Sequence, residues 1–205
     1  MDHIEVEVKY HLADAARIRE QLILAGAQSS GRWFEENIRF DTPDAHFRKK
    51  QMLIRLRRDR DNRLTLKLPH TATHTAGCKA YRELEVVVSD FSTVRTMLAH
   101  MGFSEYQVYE KWRETLQVGT TLFCIDELPF GLFLEIEGDP DTIRQWTDRL
   151  GLDWQCRITA SYLSIFETLR TEKSLPFNQI TFENFQSTSY RFADIYRHFL
   201  AESVP

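Results

Sequence analysis

Apolar and polar residues alternate one by one over much of the chain as far as residue 137, in stretches at 3–10, 33–41, 52–59, 63–68, 79–88, 106–117, 121–127 and 131–137. Successive side chains of a strand point to opposite faces, so each stretch predicts a β-strand with one aliphatic face and one polar face. Three intervening segments change to helical spacing. Segment 14–25 carries Ile18, Leu22 and Ala25 on one side and stops at Gly26; segment 90–101 carries Val94, Met97, Leu98 and Met101 and stops at Gly102. The third has Asp139 as N-cap and Pro140 in the first helical position, followed by Ile143, Trp146 and Leu150 before Gly151.

Beyond residue 155 the alternation is lost. Segments 159–170 and 187–200 read as helices, the second with Phe192, Ile195, Tyr196 and Phe199 on one side, and Pro176 lies in the connection. The pattern predicts an α+β fold. Its eight strands are expected to close into a β-barrel with helices packed outside over residues 1–170, and residues 171–205 to form a helical appendage. That appendage is expected to pack on the barrel or on a second copy of the chain, as in a homodimer.

Closure follows from the composition of the polar faces. Glu5, Glu7 and Lys9 share one face of the first strand, and Asn37, Arg39 and Asp41 one face of the second. Arg55 with Arg57, Lys67 with Thr65, Glu83 with Glu85, Lys111 with Arg113, Asp126, and Glu135 with Glu137 occupy the equivalent faces of the rest. A solvated sheet face normally mixes Ser, Thr, Asn and Gln with its charges; these positions are almost wholly ionic. The helices can cover only aliphatic faces, so the charged faces meet one another inside a barrel of about eight strands, wide enough for one small ligand. Enclosing so many ions without a ligand is unfavourable, because each carries a desolvation penalty that pairing only partly recovers. Arg and Lys suit phosphate oxygens, and carboxylates suit hard divalent cations such as Mg²⁺ or Mn²⁺. Both signs in one space indicate a metal-bound polyphosphate.

Length and charge narrow the alternatives. The 205 residues allow one main domain, and a net charge of −4 argues against a duplex nucleic-acid partner. No apolar run is long enough to span a bilayer, so no membrane role is expected, and the chain reads as cytoplasmic. Cys78, Cys124 and Cys156 are too widely spaced for a disulfide framework or a Cys-x-x-Cys site.

With these residues in place the chain resembles the CYTH superfamily, the triphosphate tunnel metalloenzymes, over about residues 3–165. Glu5-x-Glu7-x-Lys9, Arg55-x-Arg57, Thr65-Leu66-Lys67, Glu83-x-Glu85, Lys111-x-Arg113, Asp126 and Glu135-x-Glu137 are similar to its motifs, and Ser161-Tyr162 to the helix that follows. The resemblance implies an eight-stranded antiparallel β-barrel, a tunnel in which Lys9, Arg39, Arg55, Arg57, Lys67, Lys111 and Arg113 clamp a triphosphate. It implies that Glu5, Glu7, Asp126, Glu135 and Glu137 hold Mg²⁺ or Mn²⁺, with Glu83 and Glu85 as supporting carboxylates. Hydrolysis of tripolyphosphate, thiamine triphosphate or a nucleoside triphosphate is the activity expected, with class IV adenylate cyclisation and non-catalytic polyphosphate or nucleotide sensing as alternatives. Phe40-Asp41-Thr42-Pro43-Asp44 favours hydrolysis, and Lys67 is the candidate base if neighbouring cations lower its pKa. Phosphohydrolase members often carry Tyr where this chain has Arg39, so the Tyr–Lys pair of those members is absent.

Other features read as structural. His70-x-x-x-His74-x-x-x-Cys78 has zinc-compatible residue types on a loop, and Trp112 and Trp146 fall on apolar faces. Glu35, Glu36 and the hairpin residues Arg58, Asp59, Arg60 and Asp61 are expected in solvent.

Overall fold

The computed structural model describes residues 2–69 and 78–199, with side chains from Glu5 onward except that of Lys79. Eight strands, β1 (Asp2–Leu12), β2 (Gln28–Asp41), β3 (Leu53–Arg58), β4 (Asn62–Pro69), β5 (Lys79–Val88), β6 (Ser104–Val118), β7 (Thr121–Leu128) and β8 (Gly131–Glu137), close into a barrel. Around the wall the order is β1-β5-β4-β3-β2-β6-β7-β8, with every pair antiparallel. Lys9 opposite Glu135 and Glu7 opposite Glu137 make the seam between β1 and β8. Closure removes exposed sheet edges and puts one side chain of every alternating pair into the lumen.

The second strand begins at Gln28, five positions before its alternation becomes regular, because its first half pairs with the long β6 across an irregular register between Ser29 and Arg32. Helix α1 (Ala15–Leu24) starts where Asp14 accepts from the Arg17 amide at 3.1 Å. The α2 turn (His46–Lys49) follows the Phe40-to-Asp44 motif, and α3 (Phe91–His100) starts where Asp90 accepts from Thr93. Helix α4 (Pro140–Arg149) is capped by Asp139 as expected. Gly26 and Gly102 both take φ of +89°, the left-handed conformation that ends a helix without a Cβ clash.

Helices α1 and α4 bury Ile18, Leu22, Ile143 and Trp146 against the outward Val8, Tyr10, Phe123, Leu134 and Ile136. Helix α3 covers Ile38, Phe40 and Leu56 with a narrower line, Phe91 and Leu98. Met97 and Met101, expected on that stripe, are 55% and 61% exposed, since a short helix touches a convex wall along one line only.

The tail differs from its expected form. Helix α5 (Tyr162–Glu172) is close to its expected place and α6 (Phe182–Phe185) is an additional turn. Residues 187–199 are not an α-helix: only the 3₁₀ turns Phe192–Asp194 and Tyr196–Phe199 occur. Phe192 and Ile195 are nevertheless buried, in one cluster with Phe130 and Phe133 of the barrel side and Ile165, Phe166 and Leu169 of α5. The tail therefore packs on its own barrel, and the Ile180 amide donates to the Val108 carbonyl at 2.9 Å. Among the described residues no helix is long and apolar enough to cross a membrane.

Candidate active site

The lumen gathers the predicted charges from all sides. Glu5, Glu7, Lys9, Arg39, Arg55, Arg57, Lys67, Lys111, Arg113 and Glu135 line one cavity of about 350 Å³. Glu83, Glu85 and Glu137 line the opposite opening, which Glu5, Arg55, Arg57 and Arg113 also reach. Asp126 is 0% exposed and faces neither space. It lies behind the cavity, where Lys111 Nζ at 2.9 Å, Arg113 Nε at 2.6 Å and Tyr162 Oη at 2.9 Å donate to its carboxylate.

The two signs are sorted by wall. Glu135 and Glu137 on β8, Glu5 and Glu7 on β1, and Glu83 and Glu85 on β5 occupy three neighbouring strands. Lys67 on β4, Arg55 and Arg57 on β3, Arg39 on β2, and Lys111 and Arg113 on β6 occupy the next four. Lys9 on the acidic wall, and Glu35 and Asp41 on the cationic one, are exceptions among the described residues.

Each side then compensates the other. Lys67 pairs with Glu5 and, at 3.1 Å, with Glu83. Burial opposes charge on Lys67, but Glu5 and Glu83 outweigh it and its pKa is raised. The condition under which Lys67 would serve as a base is therefore not met in this state: Lys67 is a cation, because carboxylates rather than cations dominate its surroundings. Lys9, 3% exposed, lies 2.5 Å from Glu7 and 3.2 Å from Glu135. Burial alone would lower the Lys9 pKa, yet Glu135 and Glu7 raise it. Glu135 is the mirror case: burial works against its charge, and Lys9 and Arg113 hold its pKa well below the carboxylate range. Arg55 reaches Glu83 at 3.4 Å.

Arg39 is placed differently. It lines the cavity with no carboxylate within 4.0 Å among the described residues, and donates instead to Tyr106 Oη at 3.0 Å and Gln107 Oε1 at 3.3 Å. Burial lowers its pKa, as it must for a cation without a counter-ion.

Sequence reasoning missed several lining groups. Glu35, expected in solvent, is 3% exposed inside the barrel, 3.7 Å from Arg57 and 3.6 Å from Lys111. Its position two residues before Asn37 was the available signal, because parity assigns it to the same face as Asn37 and Arg39. Arg48 also lines the cavity, 2.9 Å from Asp41, and no sequence pattern announces it. Asp41 accepts from the Thr42, Phe47 and Arg48 amides at 2.8, 3.0 and 3.2 Å. The Phe40-to-Asp44 motif is thus a turn that aims Arg48 at the cavity mouth.

Asp59, expected in solvent, is instead largely buried against Arg63 at 2.9 Å. Trp146 is core, whereas Trp112 lies on the outer surface beside Phe34 and Arg32. Cys78 is fully buried among aliphatic side chains, while His70 and His74 of the same series lie outside the described residues.

Carboxylate oxygens are the donors that Mg²⁺ or Mn²⁺ prefers, so Glu5, Glu7 and Glu135 fit such an ion in type and location. Among the described residues no three acidic, His or Cys side chains already stand together as a metal cluster. The carboxylates are drawn toward Lys and Arg.

A closed eight-stranded antiparallel barrel with helices outside and opposed ionic walls within is the triphosphate-tunnel fold. The chain belongs to the CYTH family, whose domain model matches residues 3–151. A Methanocaldococcus jannaschii protein named as a candidate adenylate cyclase is 32% identical over 136 residues, 65% of this chain and 76% of that one. A solved structure of a candidate adenylate cyclase from Vibrio parahaemolyticus superposes with a TM-score of 0.71 at 18% identity, over 80% of this chain and 98% of that one. A plant structure from Hippeastrum, described as a candidate adenylyl cyclase with dominant triphosphatase activity, has a TM-score of 0.59 at 16% identity, covering 82% and 96%.

Proposed function

We propose that the protein is a metal-dependent hydrolase of triphosphate substrates, either inorganic tripolyphosphate or an organic triphosphate, cleaving a phosphoanhydride bond in the tunnel. The sorted walls carry this reading. A polyphosphate lying between them has Arg39, Arg55, Arg57, Lys67, Lys111 and Arg113 on one side, and on the other Glu5, Glu7 and Glu135, which would hold Mg²⁺ or Mn²⁺. Glu137 stands beside Glu7 in register toward the far opening, and Asp126 supports Lys111 and Arg113 from behind. When bound, the metal supplies charge neutralisation and polarisation of phosphate oxygens. The chain's own part is to hold the phosphates in line and to stabilise charge as the bond breaks. Lys67, charged, donates to a phosphate oxygen rather than removing a proton.

A class IV-type adenylate cyclase is the second reading, favoured by the name of the archaeal relative. There the ribose 3′-hydroxyl attacks and pyrophosphate leaves. Hydrolysis is preferred because Phe40-Asp41-Thr42-Pro43-Asp44 resembles the turn of phosphohydrolase members more than that of cyclases. Of the aromatic rings lining the cavity, Tyr162 already faces Lys9 and Lys111, each 5.4 Å from its centroid.

Incubation with tripolyphosphate, thiamine triphosphate and ATP, each with Mg²⁺ or Mn²⁺, tests both readings. Orthophosphate supports the hydrolase, cyclic AMP with pyrophosphate supports the cyclase, and tight binding without turnover overturns both in favour of a sensor.

A further inference from the structure

The carboxylates facing the cavity are held by the same cations that a phosphate chain would claim. Glu5 is held by Lys67, Glu7 by Lys9 at 2.5 Å, and Glu135 by Lys9 at 3.2 Å and by Arg113. A divalent ion arriving alone would take Glu5, Glu7 and Glu135, stripping Lys9 of both its carboxylates and leaving Lys67 with Glu83 alone and Arg113 with Asp126 in an enclosed space. A triphosphate arriving alone would take the cations and leave the carboxylates to repel one another. Either outcome strands buried charge, the most unfavourable result of breaking a buried ion pair. Arriving together, each ligand takes what the other releases.

We infer that this site fills by an exchange of ion-pair partners, so that divalent metal and triphosphate each raise the other's affinity. The inference rests on the metal-and-triphosphate reading of the cavity. Lys67, Lys9 and Arg113 turn from carboxylates to phosphate oxygens as Glu5, Glu7 and Glu135 turn to the metal. Linkage makes the effect reciprocal, and coupled sites commonly differ by about 5- to 150-fold. In the absence of metal, Glu5 and Glu7 act as internal competitors of the phosphate.

That competition gives a readout free of metal–phosphate chelation in solution. The bis-methylene analogue of tripolyphosphate, which resists hydrolysis, is titrated calorimetrically into wild type and Glu5→Gln/Glu7→Gln protein in EDTA. The double variant is expected to bind the metal-free analogue at least about tenfold more tightly than wild type, within the usual span of coupling. Added Mg²⁺, which tightens wild-type binding, is expected to give the variant little further gain. Glu36→Gln/Glu105→Gln removes two carboxylates, paired with Arg58 and Arg95 outside the barrel, and sets the baseline for the same change of net charge alone. A double-variant gain no larger than that baseline, or a loss, overturns the exchange while wild-type binding with Mg²⁺ leaves the functional reading standing. No wild-type binding with either metal removes that reading, and the exchange with it.

Circular dichroism checks that the double variant folds, and the single Glu7→Gln is expected to show a smaller gain. In the reverse direction, Lys67→Met releases Glu5 and is expected to raise Mn²⁺ affinity without any anion, read by electron paramagnetic resonance of the free ion. Unchanged Mn²⁺ affinity there also overturns the exchange.

Discussion

Glu35 stands 3.6 Å from Lys111 inside the barrel, a carboxylate set into the cationic wall. Burial alone would raise its pKa, but Lys111, Arg57 and Arg113 overcome it and hold Glu35 ionised far below the ordinary range. It is also the carboxylate nearest Arg57, at 3.7 Å. Glu35→Gln keeps the shape and removes the charge, so Arg57 becomes an uncompensated buried cation. A loss of about 3 kcal/mol in urea unfolding is expected, at the lower end for a broken buried pair. A change within about 0.5 kcal/mol, typical of surface substitutions, would show that Glu35 does not balance the wall.

Lys67 separates a charge-stabilising role from a proton-accepting one. With its pKa raised by Glu5 and Glu83 against the effect of burial, it remains an ammonium ion through the neutral range. Lys67→Met is expected to lower kcat by about 10²–10³, the usual effect of removing one preorganised donor. Lys67→Arg, which keeps the charge, is expected to retain a measurable share. Equal inactivity of the two variants would return Lys67 to the role of base.

Arg39 occupies the position where many phosphohydrolase relatives carry Tyr, and the structure gives it no carboxylate partner among the described residues. Its expected partner is a phosphate oxygen. Arg39→Tyr is therefore expected to reduce kcat/KM for a triphosphate by about 10- to 100-fold, consistent with about 1.5–3 kcal/mol for a hydrogen bond to a charged group. A gain in turnover would mean instead that the missing Tyr limits the chemistry.

Tyr162 and Asp126 link the tail to the cationic wall. The phenol donates to a carboxylate that also holds Lys111 and Arg113, and burial with Asp126 and Glu135 nearby raises the Tyr162 pKa well above its usual value. Tyr162→Phe removes one donor and is expected to cost about 1.5–3 kcal/mol of stability. Asp126→Asn is expected to cost more, about 3–5 kcal/mol, because two cations lose their anchor. Thermal unfolding that ranks them in the reverse order would show that Asp126 does not organise this wall.

Stability should form a plateau in pH. Glu35, Glu83 and Glu135 have folded-state pKa values below their usual 4.5, so their contribution is present above that value and is lost as the solution is acidified below it. Lys9 and Lys67 have folded-state values above their usual 10.5, so theirs is complete below that value and is lost as pH rises through the raised ones. The two limbs report the same ion pairs from opposite sides and are not additive. Melting temperatures from pH 3 to 11 in ~1-unit steps are the check, and a steady decline between about pH 5 and 9 would contradict the assignment of these shifts.

Much of this protein was legible along the chain. One-by-one alternation is a local property of a strand, so the strands, the parity of Arg55 with Arg57 or Glu135 with Glu137, and the cap at Asp139 could be read directly. Helical breadth was less legible: Met97 and Met101 share a stripe with Leu98, but only contact with the barrel's curved wall decides which of them is covered. The tail misled because Phe192 and Ile195 have helical spacing yet are held by Phe130 and Phe133, residues distant in sequence. Closure and register alone decided which carboxylate meets which cation. They paired Lys67 with Glu5 and Glu83, enclosed Glu35, set Asp126 behind the cavity and left Arg39 facing it without a counter-ion. Parity along a strand assigns a side chain to the inside; the neighbours it finds there depend on strands brought together only when the barrel closes.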